Sequence, residues 1–166
     1  SEEGNHIGPV VSQMQYDKIQ NLIAVGIKED GATIIAGGLG RPEGLNRGYY
    51  VRPTIFADVG NDARINQEEI FGPVMSIMPF DTEEEAIAIA NDTAYGLTNY
   101  LQCSDQEQRQ RIARQLRSGM VETNSVGFGM GSPFGGYKQS GNGREGGLFG
   151  LHEFMETKAV SCWEDV

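Results

Sequence analysis

Two adjacent carboxylates, Glu68 and Glu69, are the first residues in this sequence whose types and setting suggest chemistry. They stand in the uninterrupted run Gln67-Glu68-Glu69-Ile70-Phe71-Gly72-Pro73-Val74, where an apolar residue, an aromatic and a Gly-Pro turn lead into an apolar segment. Each ionised carboxylate carries two acceptor oxygens. The same run fits a charged loop entering a strand equally well, and the residues alone leave both readings open. Cys103 and Cys162 supply the thiols. A reactive thiolate needs a base or a local positive field, and Gln102, Ser104 and Asp105 around Cys103 offer neither. Cys103 therefore reads as a half-buried structural cysteine at a strand end, and Cys162 as its counterpart in a closing strand. Gly141-Asn142-Gly143-Arg144-Glu145-Gly146 fits the GxGxxG dinucleotide pattern. That fingerprint works only after a strand, and the preceding Phe134-Gly135-Gly136-Tyr137-Lys138-Gln139-Ser140 is none, so the match is rejected. His6 and His152 have no close cysteine partner, and no metal site is expected.

Apolar periodicity marks the elements that must position these groups. Tyr16, Ile19, Leu22, Ile23 and Ile27 form a helical stripe between Ser12 and Asp30, with Gly31 as its stop. Ala32 to Ala36 reads as a short buried strand closed by Gly37 and Gly38. After the turn-rich stretch Gly40 to Gly48, Tyr49 to Phe56 is extended around Pro53. Val74 to Phe80 is apolar enough for a central strand. Thr82 with Glu85 makes a capping box ahead of a helix bearing Ala86, Ile87, Ile89 and Ala90. Gly96 to Leu101 is strand-like, Ser104 with Glu107 repeats the capping box before Ile112, Ala113 and Leu116, and Met120 to Thr123 is a further strand. Strands alternating with helices imply an α/β fold built on a parallel sheet with helices on both faces, its strand C-termini along one edge. Eleven of the 23 glycines then fall between Gly119 and Gly150. A loop so rich in glycine inside a compact domain is more often a binding element than idle. Val160 to Trp163 closes the chain as a strand.

Composition bounds the rest. The 166 residues suffice for one domain, and the expectation is a single partial domain spanning 1–166. Apolar content of 39% and charged content of 22% are those of a globular protein, and no apolar run approaches the roughly 18 residues of a membrane span. The net charge of −10 repels phosphate backbones, so nucleic acid is excluded as a partner. Arg109, Arg111, Arg114 and Arg117 follow a helical spacing and read as a solvated face. Two distant cysteines form no disulfide framework, which points to a reducing, cytoplasmic setting.

Longer blocks carry a resemblance. Glu68-Glu69-Ile70-Phe71-Gly72-Pro73-Val74 resembles the glutamate-bearing motif of the aldehyde dehydrogenase superfamily. Ser132-Pro133-Phe134-Gly135-Gly136-Tyr137-Lys138-Gln139-Ser140-Gly141 is similar to a second block of that family, in the same order. Asn91-Asp92-Thr93-Ala94-Tyr95-Gly96-Leu97 and Glu156-Thr157-Lys158-Ala159-Val160 look familial too, so the resemblance covers essentially the whole chain. It implies the C-terminal part of a catalytic domain that oxidises aldehydes to carboxylic acids with NAD or NADP. In this family a cysteine thiolate attacks the aldehyde to give a thiohemiacetal, hydride leaves to the cofactor, and water hydrolyses the thioester.

By that resemblance Glu69 grips the nicotinamide ribose, with Glu68 as the neighbouring alternative. A carboxylate can accept from both ribose hydroxyls at once. Phe71 would pack near the nicotinamide ring, and Phe128 and Phe134 would line an apolar aldehyde tunnel, against the plainer reading of core packing. Gly127 and Met130 leave the aldehyde open, and the closing strand would pair in a homo-oligomer. The family's nucleophilic cysteine, its general-base glutamate and its nucleotide-binding domain lie upstream of the region matched, so this chain is expected to need the rest of such an enzyme and to oxidise no aldehyde alone. The alternative is a natural non-catalytic remnant that acts as a binding or assembly module.

Overall fold

The computed structural model describes residues 7–162, which fall into two compact units that meet between Thr82 and Glu83. The first unit opens with helix α1 (Gln13–Lys28). Ser12 caps it, its side-chain oxygen accepting from the Gln15 amide at 3.2 Å. Gly31, at φ +66°, follows the helix in the left-handed conformation that stops it. Tyr16, Ile19, Leu22 and Ile23 are buried as the periodicity predicts. Ile27 is not: it lies at the edge of the stripe and is exposed, and the buried face turns through Val25 and Gly26 instead.

Strands β1 (Thr33–Ala36), β2 (Thr54–Ala57) and β3 (Val74–Ser76) form one sheet in that order. β2 and β3 are parallel, joined through the short helix α2 (Arg64–Gln67). β1 and β2 are antiparallel, which corrects the expectation of a wholly parallel sheet. A parallel neighbour needs a long crossover, usually helical. Residues 37–53 contain no helix, and the chain doubles back. The run expected as a strand from Val74 to Phe80 is likewise shorter, ending at Ser76. Phe56, fully buried at the centre of β2, shares a core with Ile19, Leu22 and Ile23 of α1 and with Val51, Ile65 and Ile70. Thr54 is buried among them, its hydroxyl donating to the Arg52 carbonyl at 2.8 Å and accepting from the Gly38 amide at 3.0 Å. Those bonds offset the cost of burying a hydroxyl.

The second unit holds α3 (Glu83–Asn91), β4 (Thr98–Leu101), α4 (Gln106–Gln115), β5 (Met120–Thr123) and α5 (Gly147–His152). β4 and β5 pair in parallel across α4, as a strand–helix–strand unit should. The cap of α4 is Asp105 rather than Ser104: the helix starts one residue later than expected, and the Asp105 carboxylate accepts from the Gln108 amide at 2.6 Å. Neither α3 nor α4 has a fully buried residue. Among the described residues, Met120 is the one hydrophobic side chain of this unit that is buried.

The closing strand expected over Val160–Trp163 reaches past the described residues with Trp163. Its described part, 160–162, forms no strand and is exposed, so neither the expected strand nor a half-buried Cys162 is found there. His6 also lies outside the described residues. No helix among the described residues is long and apolar enough to cross a membrane.

Candidate functional site

The segment from Glu68 to Pro73 hangs between α2 and β3, and its backbone is fastened to α1. The Lys18 ammonium donates to the Glu69 carbonyl at 2.6 Å. The Gln15 side-chain amide donates to the carbonyls of Ile70 and Phe71, both at 3.0 Å. Three successive carbonyls are thus tied to one helix face, and the buried Ile70 side chain anchors the segment in the core. Phe71 is held at φ +56°, a left-handed conformation that costs a non-glycine residue on the order of 1 kcal/mol or more. Its ring is 69% exposed. Gly72 explains how the loop comes so close: a Cβ there would fall 2.9 Å from Cγ1 of Ile19, and nearer still to Cδ1. Sequence reasoning missed Gln15 and Lys18. They sit on the polar face of the α1 stripe, and only the fold brings them beneath residues more than fifty positions away.

The two glutamates have different surroundings. Glu68 accepts from the Arg64 guanidinium at 2.7 Å across one turn of α2, and that bond holds its carboxyl below the usual carboxylate range. Glu69 is exposed, and its carboxylate makes no hydrogen bond or ion pair within the described residues. An unengaged carboxylate beside an exposed aromatic ring, on a fastened backbone, is chemically suited to a sugar diol joined to a planar heterocycle. This acceptor and aromatic face therefore fit a nicotinamide riboside moiety.

In the second unit two of the blocks singled out in the sequence, residues 91–97 and 132–141, are bonded to each other. The Gln139 amide donates to the Ala94 carbonyl at 3.0 Å, and the Tyr137 amide to the Gly96 carbonyl at 2.8 Å. The Gly96 amide donates to the Ser140 hydroxyl at 3.1 Å. Lys138, at φ +54°, donates from its ammonium to the carbonyls of Asn91 at 2.7 Å and Thr93 at 3.0 Å, closing the C-terminal end of α3. Gly119 completes the node, since a Cβ there would stand 3.0 Å from the Gly136 Cα and collide with the Gly135 carbonyl.

From this frame projects the glycine-rich loop. After β5, Asn124 and Ser125 turn the chain with φ of 52° and 57°. The Asn124 side chain accepts from the Cys103 amide at 2.9 Å and donates to its carbonyl at 3.0 Å, tying the ends of β4 and β5 together. Cys103 is half-buried, with Sγ 3.3 Å from Oε1 of Gln108, in agreement with a structural role. Phe128 follows on an exposed stretch, 47% accessible, and the Ser132 amide closes a turn onto the Gly129 carbonyl at 3.0 Å. Phe134 is fixed more firmly. It exchanges both backbone bonds with Glu145, at 2.8 and 2.7 Å, and its ring is 51% accessible. Glu69 and Phe71 thus lie in the first unit and Phe128 and Phe134 in the second. The rejected GxGxxG run follows a single 3-10 turn, residues 138–140, rather than a strand.

Residues 1–160 match the model of the aldehyde dehydrogenase family. Over 159 residues the chain is 52% identical to a 3-succinoylsemialdehyde-pyridine dehydrogenase from a Pseudomonas species, covering 96% of this chain and 33% of that protein. The crystal structure of an aldehyde dehydrogenase from Bartonella henselae superposes with a TM-score of 0.93 at 62% identity, covering 98% of this chain and 34% of the other. A mutant aldehyde dehydrogenase C from Pseudomonas syringae, solved with NAD+ and octanal, gives 0.89 at 46% identity, covering 92% and 31%. The chain spans about a third of the length of the relatives it matches.

Proposed function

The chain belongs to the aldehyde dehydrogenase family, and from that membership we propose that it serves as part of an NAD(P)-dependent enzyme oxidising aldehydes to carboxylic acids. As a segment covering about a third of its relatives, it contributes the cofactor-positioning glutamate and part of the aldehyde tunnel. The observation that carries this reading is the free Glu69 carboxylate, two residues before the exposed Phe71, on a loop whose carbonyls are held by Gln15 and Lys18. When bound, the cofactor accepts hydride from the substrate carbon. Solved relatives bound to NAD+ favour NAD over NADP.

Glu69 accepts from the two ribose hydroxyls, and Phe71 limits how far the nicotinamide swings. Together they set the distance and face presented to the aldehyde carbon, the positioning on which the rate depends. Phe128 and Phe134 give the aldehyde an apolar wall that excludes water from the covalent adduct. Glu68 is kept on the protein by Arg64 and takes no direct part. The assembled enzyme would be a homo-oligomer in which other parts of the polypeptide cover this segment's exposed apolar side chains.

The test is a pair of substitutions in the full-length enzyme that carries this segment, followed by NADH absorbance. Glu69→Gln should lower kcat/KM for the cofactor by roughly ten- to a hundredfold, the loss of a charged acceptor worth about 1.5–3 kcal/mol. Glu68→Gln should stay within about twofold, as for an exposed pair. The reverse ranking would transfer the role to Glu68, and no effect from either would remove the loop from the cofactor site.

A further inference from the structure

The run Gly141-Asn142-Gly143-Arg144, rejected as a dinucleotide fingerprint, is suited to a different chemistry. Of the nine asparagines in the chain, Asn142 alone is followed by glycine. A backbone nitrogen attacks the side-chain carbonyl of the asparagine before it only when the backbone closes a five-membered ring, and glycine bends into that shape most readily. Asn142 and Gly143 are both exposed. Among the described residues, neither the Asn142 side chain nor the Gly143 amide makes a hydrogen bond, and a Cβ at Gly143 would meet nothing within 4 Å. The atoms that must meet are therefore unengaged and open to solvent. Other asparagines differ. Asn66, Asn91, Asn99 and Asn124 engage their side-chain amides with Gly60, Gln115, Ser118 and Cys103. Asn46 is exposed too, but Arg47 follows it.

The carbonyls of this same pair hold Arg144. One guanidinium nitrogen donates to Asn142 at 3.0 Å and Gly143 at 2.8 Å, and also to the Gly136 carbonyl at 2.9 Å. Beside this clasp Phe134 and Glu145 exchange their backbone bonds. We propose that Asn142 is a site of spontaneous deamidation and isoaspartate formation, and that the product loosens the hold of Arg144 on Gly136. The Gly143 nitrogen bonds to Cγ of Asn142, and its proton passes through water to the departing group. The Cγ–Nδ2 bond breaks and ammonia leaves, giving a succinimide. Water then opens the ring. Opening at Cγ gives aspartate, whereas opening at the former backbone carbonyl gives isoaspartate, whose chain runs through Cγ and is longer by one methylene. In isoaspartate the carbonyl that accepted from Arg144 has become a free carboxylate, a stronger acceptor than a neutral carbonyl. The guanidinium is drawn to it while the added methylene displaces Gly143, and the three-carbonyl clasp comes apart. The site is independent of the reaction that the assembled enzyme performs.

The experiment ages the full-length enzyme that carries this segment in mildly alkaline buffer. Its peptides are read by mass spectrometry, with fragmentation that separates isoaspartate from aspartate. Residue 142 should convert about tenfold faster than Asn46, and Gly143→Ala should slow it by a similar factor. The alanine meets no neighbour, so the fold should admit it. Amide hydrogen exchange at Phe134 and Glu145 should be faster in the aged enzyme than in the fresh one. Aged Asn142→Gln, which cannot close a five-membered ring, should keep the exchange of fresh protein. An Asn142 that stays intact, or that converts as fast with alanine at 143, would overturn the site. Conversion with unchanged exchange at Phe134 and Glu145, or the same acceleration in aged Asn142→Gln, would overturn the loosening of the clasp.

Discussion

Gln15 is a single amide beneath two consecutive carbonyls, those of Ile70 and Phe71, and the loop that carries Glu69 depends on it. Gln15→Ala leaves both acceptors to water and removes the support for Phe71 at positive φ. It should cost about 1 kcal/mol and speed hydrogen exchange at residues 70–72, read by mass spectrometry. Unchanged exchange there would mean that the core contact of Ile70 holds the loop unaided. The motif around Glu69 was legible in the sequence, because its residues are contiguous. The difference in surroundings between Glu69 and Glu68 was not. That difference depends on Arg64 reaching across one helical turn, and α2 is too short to announce itself by periodicity. Lys18 and Gln15 were hidden for another reason: their partners lie over fifty residues away, and nothing local marks a polar helix face as a fastening.

Elements meet where side chains are missing. Gly72→Ala should destabilise the first unit by about 1–3 kcal/mol, because the added methyl meets the fully buried Ile19 and the core must shift to admit it. Chemical denaturation reads the loss, and a variant as stable as the parent would show that the loop can lift off α1. In the second unit Arg111 of α4 takes Glu83 of α3 in a two-pronged pair, at 2.9 and 2.7 Å, with Gln108 adding a bond at 3.0 Å. These bonds hold the Glu83 carboxyl below its ordinary value. A depressed folded pKa contributes stability that is fully present above the unfolded carboxylate pKa and lost as pH falls through the lower folded value. The pair is solvent-screened, so the effect is small. A Glu83→Gln variant should therefore match the parent in acid and fall slightly below it at neutral pH. Secondary structure was legible where apolar periodicity ran long, as in α1. It failed where strand direction depends on the shape of a connection: the irregular stretch 37–53 reverses the chain and makes β1 antiparallel.

At the scale of the whole chain the two units differ in how much they bury. Among the described residues, Met120 alone of the buried hydrophobic side chains belongs to the second unit. Stability follows buried apolar area, so amides of α1 and β2 should exchange orders of magnitude more slowly than those of α3 and α4. Equal protection would show that the second unit has cohesion beyond its own contacts. Side chains such as Leu148, Phe149 and Phe154, all exposed, should bind a hydrophobic dye in the isolated chain. The same preparation, given NAD+ and an aldehyde panel, should produce no NADH, because the family's nucleophile is expected upstream of the matched region. Detectable NADH would place a second nucleophile within these residues. The size of the second unit's core was not legible from composition, since apolar content is counted over the chain and burial is decided locally.

The way Lys138 and Arg144 are bonded has a consequence for how such a protein can change. Both hold backbone oxygens, and a carbonyl is the same whatever side chain it accompanies. The frame around residues 124–137 is therefore indifferent to most of the letters written inside it. A new loop sequence of equal length could be exchanged into that frame, with Gly119, Asn124, Gly135 and Gly136 retained, without redesigning its moorings. The loop would then be a replaceable insert in a durable mount, open to revision by a few substitutions rather than by rebuilding the fold.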